Sequence, residues 1–345
     1  MEITNTEYFL LFVISYLLVG ILTPVVRKIA IATDVVDRPN SPHKSHKKPV
    51  PYLGGVAIII GVITISYSAS FFSEFTSITY LLATSVLGPA LLLGLIGLWD
   101  DIRNLPPLPR FIAQTVAGVF TASILIITDN IGNPTGSSIF DLIITVVWIV
   151  GICNSINFFD NLDGGTAGTA AISSIALAYL ALNGDQYLIA ALSVVTAGST
   201  LGFLVWNKSP AKIYMGDAGA LFLGVLLATL TVRFEPTAQT QMGSFLIPVF
   251  LLAIPILDTT VAVLSRIRRH LSPFQGGQDH LSHRLIRSGL TRKTSAIILW
   301  SLSGLFAGVS VLLSNASQSY TNILLIGAGI TWLTLFITFF ITKDN

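Results

Sequence analysis

Long apolar runs dominate this sequence and constrain its fold more than any other feature. Eleven of them have about the 20 residues that an α-helix needs to cross the hydrocarbon core of a bilayer. They lie near residues 8–30, 53–72, 78–99, 108–128, 139–156, 166–183, 187–206, 218–232, 243–264, 294–314 and 320–341. Only 10% of the residues are charged, and strict alternation of polar and apolar residues, the mark of a membrane β-barrel, is absent. The sequence therefore predicts an all-α polytopic membrane protein with about 11 transmembrane helices.

The basic residues give these helices an orientation. One arrangement places 18 of the 19 Lys and Arg residues in inner loops or at inner helix ends, and leaves only Arg233 outside. Because cytoplasmic loops carry an excess of Lys and Arg, this arrangement predicts an outer N-terminus and a cytoplasmic C-terminus. We interpret residues 1–345 as one integral-membrane domain, with cytoplasmic loops near 31–52, 100–110, 154–168, 207–217 and 265–293.

The stretch NSINFFDNLDGGTAG, residues 154–168, is unusually polar for this chain. Asp160 and Asp163 share a face if the preceding helix continues through them, and the glycines allow a turn if the helix ends there. Together with Asn154 and Asn157, these carboxylates suit Mg²⁺, which commonly takes one or two carboxylates and completes its shell with water and phosphate. Simple helix capping by Asx residues is the alternative.

Two other loops carry acids on the same side. Asp100 and Asp101 end the third apolar run, where the helix dipole disfavours negative charge, so a cation should compensate them: a metal, Arg103 or Arg110. Asp217 lies in a Met-Gly-Asp-Ala-Gly turn that opens the eighth run. It is a candidate metal ligand, or alternatively a plain helix N-cap.

The last inner loop combines imidazoles with guanidinium groups. His280 and His283, with Arg284 adjacent, can present two imidazoles and a cation to one anion if the segment is helical. Asp258 lies about two turns inside the ninth run, where an ionisable group is costly and has a functional or paired role by default.

The first inner loop contains four basic residues with His46 and Lys48 among its polar side chains. Such a loop can hold an anionic substrate, although ordinary attraction to anionic lipid explains its charge nearly as well.

All these polar groups fall on the predicted cytoplasmic face, although they come from different loops. Acids for a cation, basic loops for phosphates and a membrane scaffold together indicate phosphoryl transfer between a nucleotide-linked substrate and a lipid phosphate. A secondary transporter is the remote alternative. Its ionisable residues would lie near the middle of the bilayer, whereas here only Asp258 is even partly buried in a membrane segment.

Five motifs, in order and on the predicted side, resemble one family: HKKPVPYLGG, DDIRNL, NSINFFDNLDG, IYMGDAG and DHLSHRL. They are similar to the polyprenyl-phosphate N-acetylhexosamine-1-phosphate transferases, the group that includes the WecA, TagO and MraY enzymes. The resemblance implies that an oxygen of undecaprenyl phosphate attacks the sugar-proximal phosphorus of a UDP-sugar, most simply UDP-GlcNAc, and that UMP is released. It implies Mg²⁺ as cofactor, with Mn²⁺ able to substitute.

The resemblance also implies roles for residues. Asp217 would bind the metal with Asp163 or Asp160 assisting, and Asp100 and Asp101 would orient the lipid phosphate, with either of them open as a base. The substrate-binding candidates are His46, Lys48, Arg110, Asn154, Asn157, His280, His283 and Arg284.

The chain departs from the family pattern in a few places. Asn161 stands where Gly is common, Ala220 where Ser is common, and Ser282 where a second consecutive His is common. The last loop lacks the three-histidine run of the MraY type, which favours a plain UDP-N-acetylhexosamine over the muramyl-pentapeptide nucleotide. The phospho-MurNAc-pentapeptide transferases remain the alternative.

The expected location is the bacterial inner membrane, with the active site facing the cytoplasm. We expect the enzyme to start a cell-envelope glycan such as lipopolysaccharide or teichoic acid. The bilayer, the UDP-sugar and the polyprenyl phosphate are its expected partners; a homodimer stays open, and no nucleic acid is expected.

Overall fold

A computed structural model describes residues 4–38, 49–72, 76–129, 135–238, 240–273 and 277–342. Thirteen α-helices account for most of these residues, and two short strands pair in an antiparallel hairpin. The elements are α1 Asn5–Ala32, β1 Val36–Asp37, β2 Val50–Pro51, α2 Gly54–Phe72, α3 Ser77–Arg103, α4 Pro107–Ile127, α5 Ser138–Phe159, α6 Gly165–Asn183, α7 Tyr187–Asn207, α8 Gly216–Arg233, α9 Gln241–Leu251, α10 Ala253–Arg268, α11 Leu281–Arg287, α12 Arg292–Asn315 and α13 Gln318–Ile341.

Each of the eleven predicted apolar segments is helical, so the all-α polytopic prediction is confirmed apart from the small hairpin. Within the described residues, nine helices are long and apolar enough to cross a membrane, or ten if the bent pair α9–α10 is one span. The helix α2 is apolar over the shorter range Gly54–Ala69. The count of eleven spans and their orientation therefore stay predictions.

The predicted single helix at 243–264 is wrong in one respect, because it is broken at Leu252 into α9 and α10, which are bent by 73°. Pro255 follows the break and has no N–H to donate to the carbonyl of Leu251. The Ser173 hydroxyl on α6 donates to that carbonyl instead, at 2.6 Å. A neighbouring helix thus satisfies the backbone group that the proline leaves free, as an apolar environment requires.

The helix α8 lies at the centre of the bundle, between α2, α3 and α5, and nearly all of its side chains are buried. It approaches α3 very closely at Gly97, where a Cβ atom would lie 2.3 Å from the backbone oxygen of Asp217. Only glycine allows this approach, which brings the acidic end of α3 against the start of α8.

Candidate functional site

The end of α3, the start of α4 and the end of α5 meet the start of α8 at one acidic cluster. Asp101 on α3 and Asp217 on α8 belong to it, and they come from motifs that are more than 100 residues apart in the chain. The Asp101 carboxylate accepts hydrogen bonds from the backbone N–H groups of Asp217 at 2.8 Å and Ala218 at 3.1 Å. These first N–H groups of a helix have no partner inside it. Asp101 therefore caps α8 from a neighbouring helix.

The contacts of Asp217 rule out one of the two roles that the sequence left open for it, the helix N-cap. Its side chain does not cap its own helix, because its two oxygens accept from other groups. Arg110 Nη1 donates to Oδ2 at 2.7 Å, and Asn157 Nδ2 donates to Oδ1 at 2.7 Å. Gly216, with φ of +74°, provides the backbone turn in front of Asp217. A plain N-cap role for Asp217 is wrong.

Arg110 is the cation that the two adjacent aspartates were predicted to need. Its Nη1 atom contacts Asp100 Oδ2 as well as Asp217 Oδ2, while Asp100 Oδ1 accepts from the backbone N–H of Leu105. In this ion pair the Asp100 side chain is buried and the Arg110 side chain is half-buried. Two carboxylate oxygens from different helices converge on a single cationic nitrogen, which marks a place where positive charge is stabilised.

Asp160 and Asp163 occupy different surroundings, because α5 ends at Phe159 and Asp160 follows as its C-cap. Burial, with the nearby Asp217 and Asp163 charges, raises the pKa of Asp160 to about 7. Asp163 instead accepts from Arg292 Nη1 and from the backbone N–H of Ala211, both at 3.2 Å. Asp160 therefore shares the electrostatics of the acidic cluster, whereas Asp163 is held by an arginine of its own.

Arg292 was not among the site residues that the sequence predicted. One signal was available: it opens α12, where the helix dipole disfavours a positive charge. Its ion pair with the buried Asp163 explains that placement.

Asn154 connects α5 to α4, since its Nδ2 atom donates to Gln114 Oε1 at 2.7 Å and to the Val150 carbonyl at 2.8 Å. Beside this contact lies a cavity of about 570 Å³ with a largely apolar lining. The lining contains Pro106, Pro107, Leu108, Arg110, Phe111, Gln114, Asn154, Asn157, Phe158 and Leu221. The cavity therefore shares Arg110 and Asn157 with the acidic cluster.

His46 and Lys48 of the first inner loop lie outside the described residues. The hairpin that flanks them is attached to the turn before α8. The N–H of Tyr214 donates to the Pro51 carbonyl at 2.8 Å, and the N–H of Gly54 donates to the Tyr214 carbonyl at 2.9 Å. A cavity of about 520 Å³ lies between Val36, Asp37 and Tyr52 of this region and Asp101 of α3.

The last inner loop is helical over Leu281–Arg287, so His283 lies in the helix, but His280 precedes it as the extended N-cap residue and the two imidazoles do not share a helix face. The loop contacts the Asn/Asp loop. The Ser282 hydroxyl hydrogen-bonds to Asn161 Oδ1, so two of the positions that depart from the family pattern touch each other. The Phe158 ring lies edge-on to His280, with centroids 6.2 Å apart. These contacts join the last loop to the end of α5.

The two histidines of this loop differ in their surroundings. His280 is buried and bonded to Asp258, whereas His283 is half-buried and its Nδ1 atom has no hydrogen-bond partner in the part of the chain that is described. Burial lowers the pKa of His283 to about 4. His283 is therefore a neutral imidazole at physiological pH, able to exchange hydrogen bonds with a ligand.

The structure does not support Arg284 as a substrate-binding residue. Its guanidinium is fully buried and donates to the carbonyls of Asp279, Phe339 and Thr342 and to the Ser265 hydroxyl, at 2.6–2.9 Å. It fastens the loop to α10 and to the end of α13. At least four of its five N–H donors are thus engaged by the protein, and the buried side chain presents no surface to an anion from outside.

The acidic cluster is also the candidate metal site. Across the described ranges, no three His, Cys, Asp or Glu side chains are placed to hold one ion. Asp100 and Asp217 do converge, however, on the same nitrogen of Arg110. Two carboxylates are what Mg²⁺ commonly takes from a protein when phosphate and water supply the other ligands. The donor set fits Mg²⁺ through Asp100 and Asp217, and it does not include Asp163.

Comparison with known proteins gives consistent matches. Residues 83–235 match the family described as "Glycosyl transferase family 4". The chain is 35% identical, over 95% of its length and 87% of the relative, to the "Probable undecaprenyl-phosphate N-acetylglucosaminyl 1-phosphate transferase" of Bacillus subtilis strain 168. It is 31% identical, over 82% of its length and 76% of the relative, to the "Decaprenyl-phosphate N-acetylglucosaminephosphotransferase" of Mycolicibacterium smegmatis. A "Phospho-N-acetylmuramoyl-pentapeptide-transferase" of Bacillus subtilis is 36% identical over 64% of this chain and 72% of its own length.

Proposed function

This chain belongs to glycosyl transferase family 4, the membrane-embedded polyprenyl-phosphate sugar-1-phosphate transferases, and we propose that it transfers GlcNAc-1-phosphate from UDP-GlcNAc to undecaprenyl phosphate. One observation carries the proposal beyond the similarity. Asp100, Asp217 and Arg110 converge beside a cavity whose lining is largely apolar. A charged centre next to an apolar cavity suits a reaction between a phosphate on a lipid and a pyrophosphate in water.

The reaction exchanges one bond to phosphorus for another. An oxygen of the lipid phosphate attacks the sugar-bearing phosphorus of UDP-GlcNAc, the bond from that phosphorus to the bridging oxygen breaks, and UMP leaves with both bonding electrons. The product is undecaprenyl diphosphate GlcNAc. In such phosphoryl transfers the protein acts mainly by positioning the groups and neutralising their charge.

Arg110 and Asn157 have the positions to bind the acceptor. Both line the apolar cavity and both contact Asp217. The guanidinium of Arg110 can bind a phosphate group through its remaining donors while the prenyl chain follows the apolar wall. Asn157 fixes the orientation of the Asp217 carboxylate.

Mg²⁺ is the proposed cofactor; Asp100 and Asp217 would hold it through the carboxylates that share the Arg110 nitrogen, and Arg110 would then turn toward the phosphate. When bound, the Mg²⁺ ion supplies positive charge that neutralises the phosphate oxygens during transfer. Asp160 adds a third carboxyl group, whose charge interacts with that of Asp217.

No general base is required from the protein. Asp101 accepts from two backbone N–H groups of α8, and Asp100 accepts from Arg110 and from the backbone N–H of Leu105. A phosphate monoester is already largely ionised at neutral pH, since its second pKa is about 6. The acceptor oxygen therefore attacks in its anionic form.

The last loop is proposed to hold the UDP-sugar through His283. This imidazole carries a buried nitrogen without a partner among the described residues, and its loop contacts the Asn/Asp loop through Ser282. The other histidine of the loop, His280, faces the protein interior.

The substrate assignment predicts that purified protein releases UMP from UDP-GlcNAc in the presence of undecaprenyl phosphate and Mg²⁺. UDP-MurNAc-pentapeptide should give at most background release, because the last loop lacks the longer histidine run of the pentapeptide-transferase type. The measurement is UMP formation with each nucleotide at equal concentration. A preference for the pentapeptide nucleotide would instead support the second candidate, to which one group of relatives also points.

The orientation is proposed from the charge distribution and is tested with fusions. A reporter attached after Asn345 should be cytoplasmic, and a tag placed before Met1 should be accessible from outside, because 18 of the 19 basic residues then lie inside. Labelling of each tag in intact and in permeabilised cells checks both ends. Two ends on the same side would contradict an odd number of spans.

A further inference from the structure

Asp258 is a fully buried carboxylate on α10, a turn and a half beyond the break at Leu252. Both of its oxygens are used by the last loop. His280 Nδ1 lies 2.7 Å from Oδ2, and the backbone N–H of Leu281 donates to Oδ1 at 2.7 Å. A buried charge is retained only where such partners compensate for its lost hydration. The loop therefore depends on Asp258 for two hydrogen bonds at the start of α11.

These contacts also assign the protons of the His280 ring. A carboxylate can only accept, so Nδ1 carries the proton that it donates to Asp258. Nε2 lies 3.3 Å from Arg266 Nη2, which can only donate, so Nε2 accepts. His280 is thus the neutral Nδ1–H tautomer and has both ring nitrogens occupied by the protein.

The remaining charges around His280 balance. Arg266 forms a two-point ion pair with Asp279, through Nε to Oδ2 at 2.9 Å and Nη2 to Oδ1 at 2.8 Å. Arg269 donates to Asp279 Oδ2 at 2.8 Å. Burial by itself raises the pKa of Asp279, but the hydrogen bonds and charge of Arg266 outweigh it, so that the pKa is lowered. Two arginines and two aspartates enclose a neutral histidine.

The ring of His280 stands between this buried network and the proposed donor site. On one side it meets the edge-on ring of Phe158, whose neighbour Asn157 binds Asp217. On the other side its centroid is 5.9 Å from that of His283, the more exposed imidazole. His280 therefore lies in contact with both the end of α5 and His283.

We propose that Asp258 is a positioning residue that fixes the tautomer and orientation of His280 and thereby holds His283 in place to bind the sugar nucleotide. The inference rests on the proposed function, because it takes the last loop as the binding element for the UDP-sugar. It also gives the two histidines different roles: His280 bonds to protein groups, and His283 binds the ligand.

The first test is Asp258→Asn. The amide can still accept from Leu281, but its NH₂ group would face His280 Nδ1 and favour the other tautomer, whose Nε2–H would then point at the donors of Arg266. We expect the KM for UDP-GlcNAc to rise roughly 10- to 100-fold, as for loss of a buried charged hydrogen bond. The KM for undecaprenyl phosphate should stay within about twofold, because the lipid cavity does not include this loop.

Asp141→Asn provides the matched control. Asp141 is also a buried carboxylate in a helix, but it lies in the first turn of α5, at the end opposite Asn154 and Asn157, where it accepts from Thr135. The same substitution there should leave both KM values unchanged. If both variants raise the KM for UDP-GlcNAc equally, a general loss of packing explains the effect and the proposal fails.

A pair of variants at His280 distinguishes positioning from binding. In His280→Asn the side-chain NH₂ can replace Nδ1–H as donor to Asp258, whereas His280→Leu has no donor. We expect His280→Asn to keep the KM for UDP-GlcNAc within a few-fold of wild type, and His280→Leu to match Asp258→Asn. Equal damage from both would indicate that the ring itself contacts the substrate, and would overturn the proposed division of roles.

The tautomer is measured without any assay of activity. In protein carrying ¹⁵N-labelled histidine, the ring signals of His280, assigned through His280→Asn, should report Nδ1–H in wild type and Nε2–H in Asp258→Asn. A wild-type Nε2–H tautomer would refute the positioning proposal even if the enzyme is active. Absence of UMP release with the predicted tautomer present would refute the proposed function alone.

Discussion

Asp217→Asn is expected to lower the rate of UMP release by about 100- to 1000-fold, while the purified protein keeps its thermal stability. Loss of one well-placed electrostatic group typically costs about 3–4 kcal/mol in the transition state. The side chain keeps its size and can still bond Asn157 or Arg110, and the cap of α8 is supplied by Asp101. The substitution therefore removes a charge from the site and leaves the scaffold.

The measurement is UMP release as a function of Mg²⁺ concentration for wild type and variant. If Asp217 holds the metal, the rate should fall and the half-saturating Mg²⁺ concentration should also rise. Asp185→Asn, which changes an exposed carboxylate between α6 and α7, should alter neither quantity. Near-normal activity of Asp217→Asn would remove Asp217 from the proposed chemistry and leave Asp100 and Asp160 as the remaining carboxylates of the cluster.

Much of this arrangement could be predicted from the sequence because it depends on one-dimensional patterns. Apolar length gave the helices, and the distribution of Lys and Arg suggested one face for every polar loop. A buried polar group needs a partner, so Asp100 was predicted to have a cation, and Arg110 supplies it. Such predictions need only the rule that charges in an apolar protein do not stay alone.

The roles of adjacent residues could not be predicted in the same way. Neighbours on a helix point about 100° apart, so Asp100 faces Arg110 on α4 while Asp101 faces the start of α8. In the last loop the same rule sends Arg284 inward and leaves His283 more exposed. Which neighbour faces the site depends on the rotation of each helix, and that rotation is set by packing between distant segments.

The prediction of a single helix at 243–264 was wrong for a related reason. Pro255 was visible in the sequence, but prolines are tolerated in membrane helices when a neighbour satisfies the freed carbonyl. Here the neighbour is Ser173, about 80 residues earlier in the chain. The break also directs α10, and Asp258 with it, toward the last loop. A tertiary contact thus decides both the shape of the span and the surroundings of its one buried acid.

The second large effect is expected at the adjacent residues Asp100 and Asp101. The same Asp→Asn substitution should act mainly by removing a charge at Asp100 and mainly by destabilising the start of α8 at Asp101. Asp100→Asn should lower the rate of UMP release by about 100-fold or more, with a loss of thermal stability that is limited because the half-buried Arg110 keeps Asp217 as a partner. Its Oδ1 atom can still accept from Leu105, and Arg110 keeps its ion pair with Asp217. What is lost is one of the two negative charges proposed to bind Mg²⁺.

Asp101→Asn should instead act through stability. A single amide oxygen cannot replace both carboxylate oxygens, so one of the N–H groups of Asp217 and Ala218 would lose its partner and face the amide NH₂. A buried backbone donor without a partner costs about 1–3 kcal/mol, so we expect a lower melting temperature and about a tenfold loss of rate. The half-saturating Mg²⁺ concentration should move less than in Asp100→Asn. Melting curves and Mg²⁺ titrations of both variants check this. A stable Asp101→Asn protein with a 100-fold slower rate would indicate that Asp101 takes part in the chemistry. A residue that only caps α8 cannot lower the rate that far while α8 stays in place.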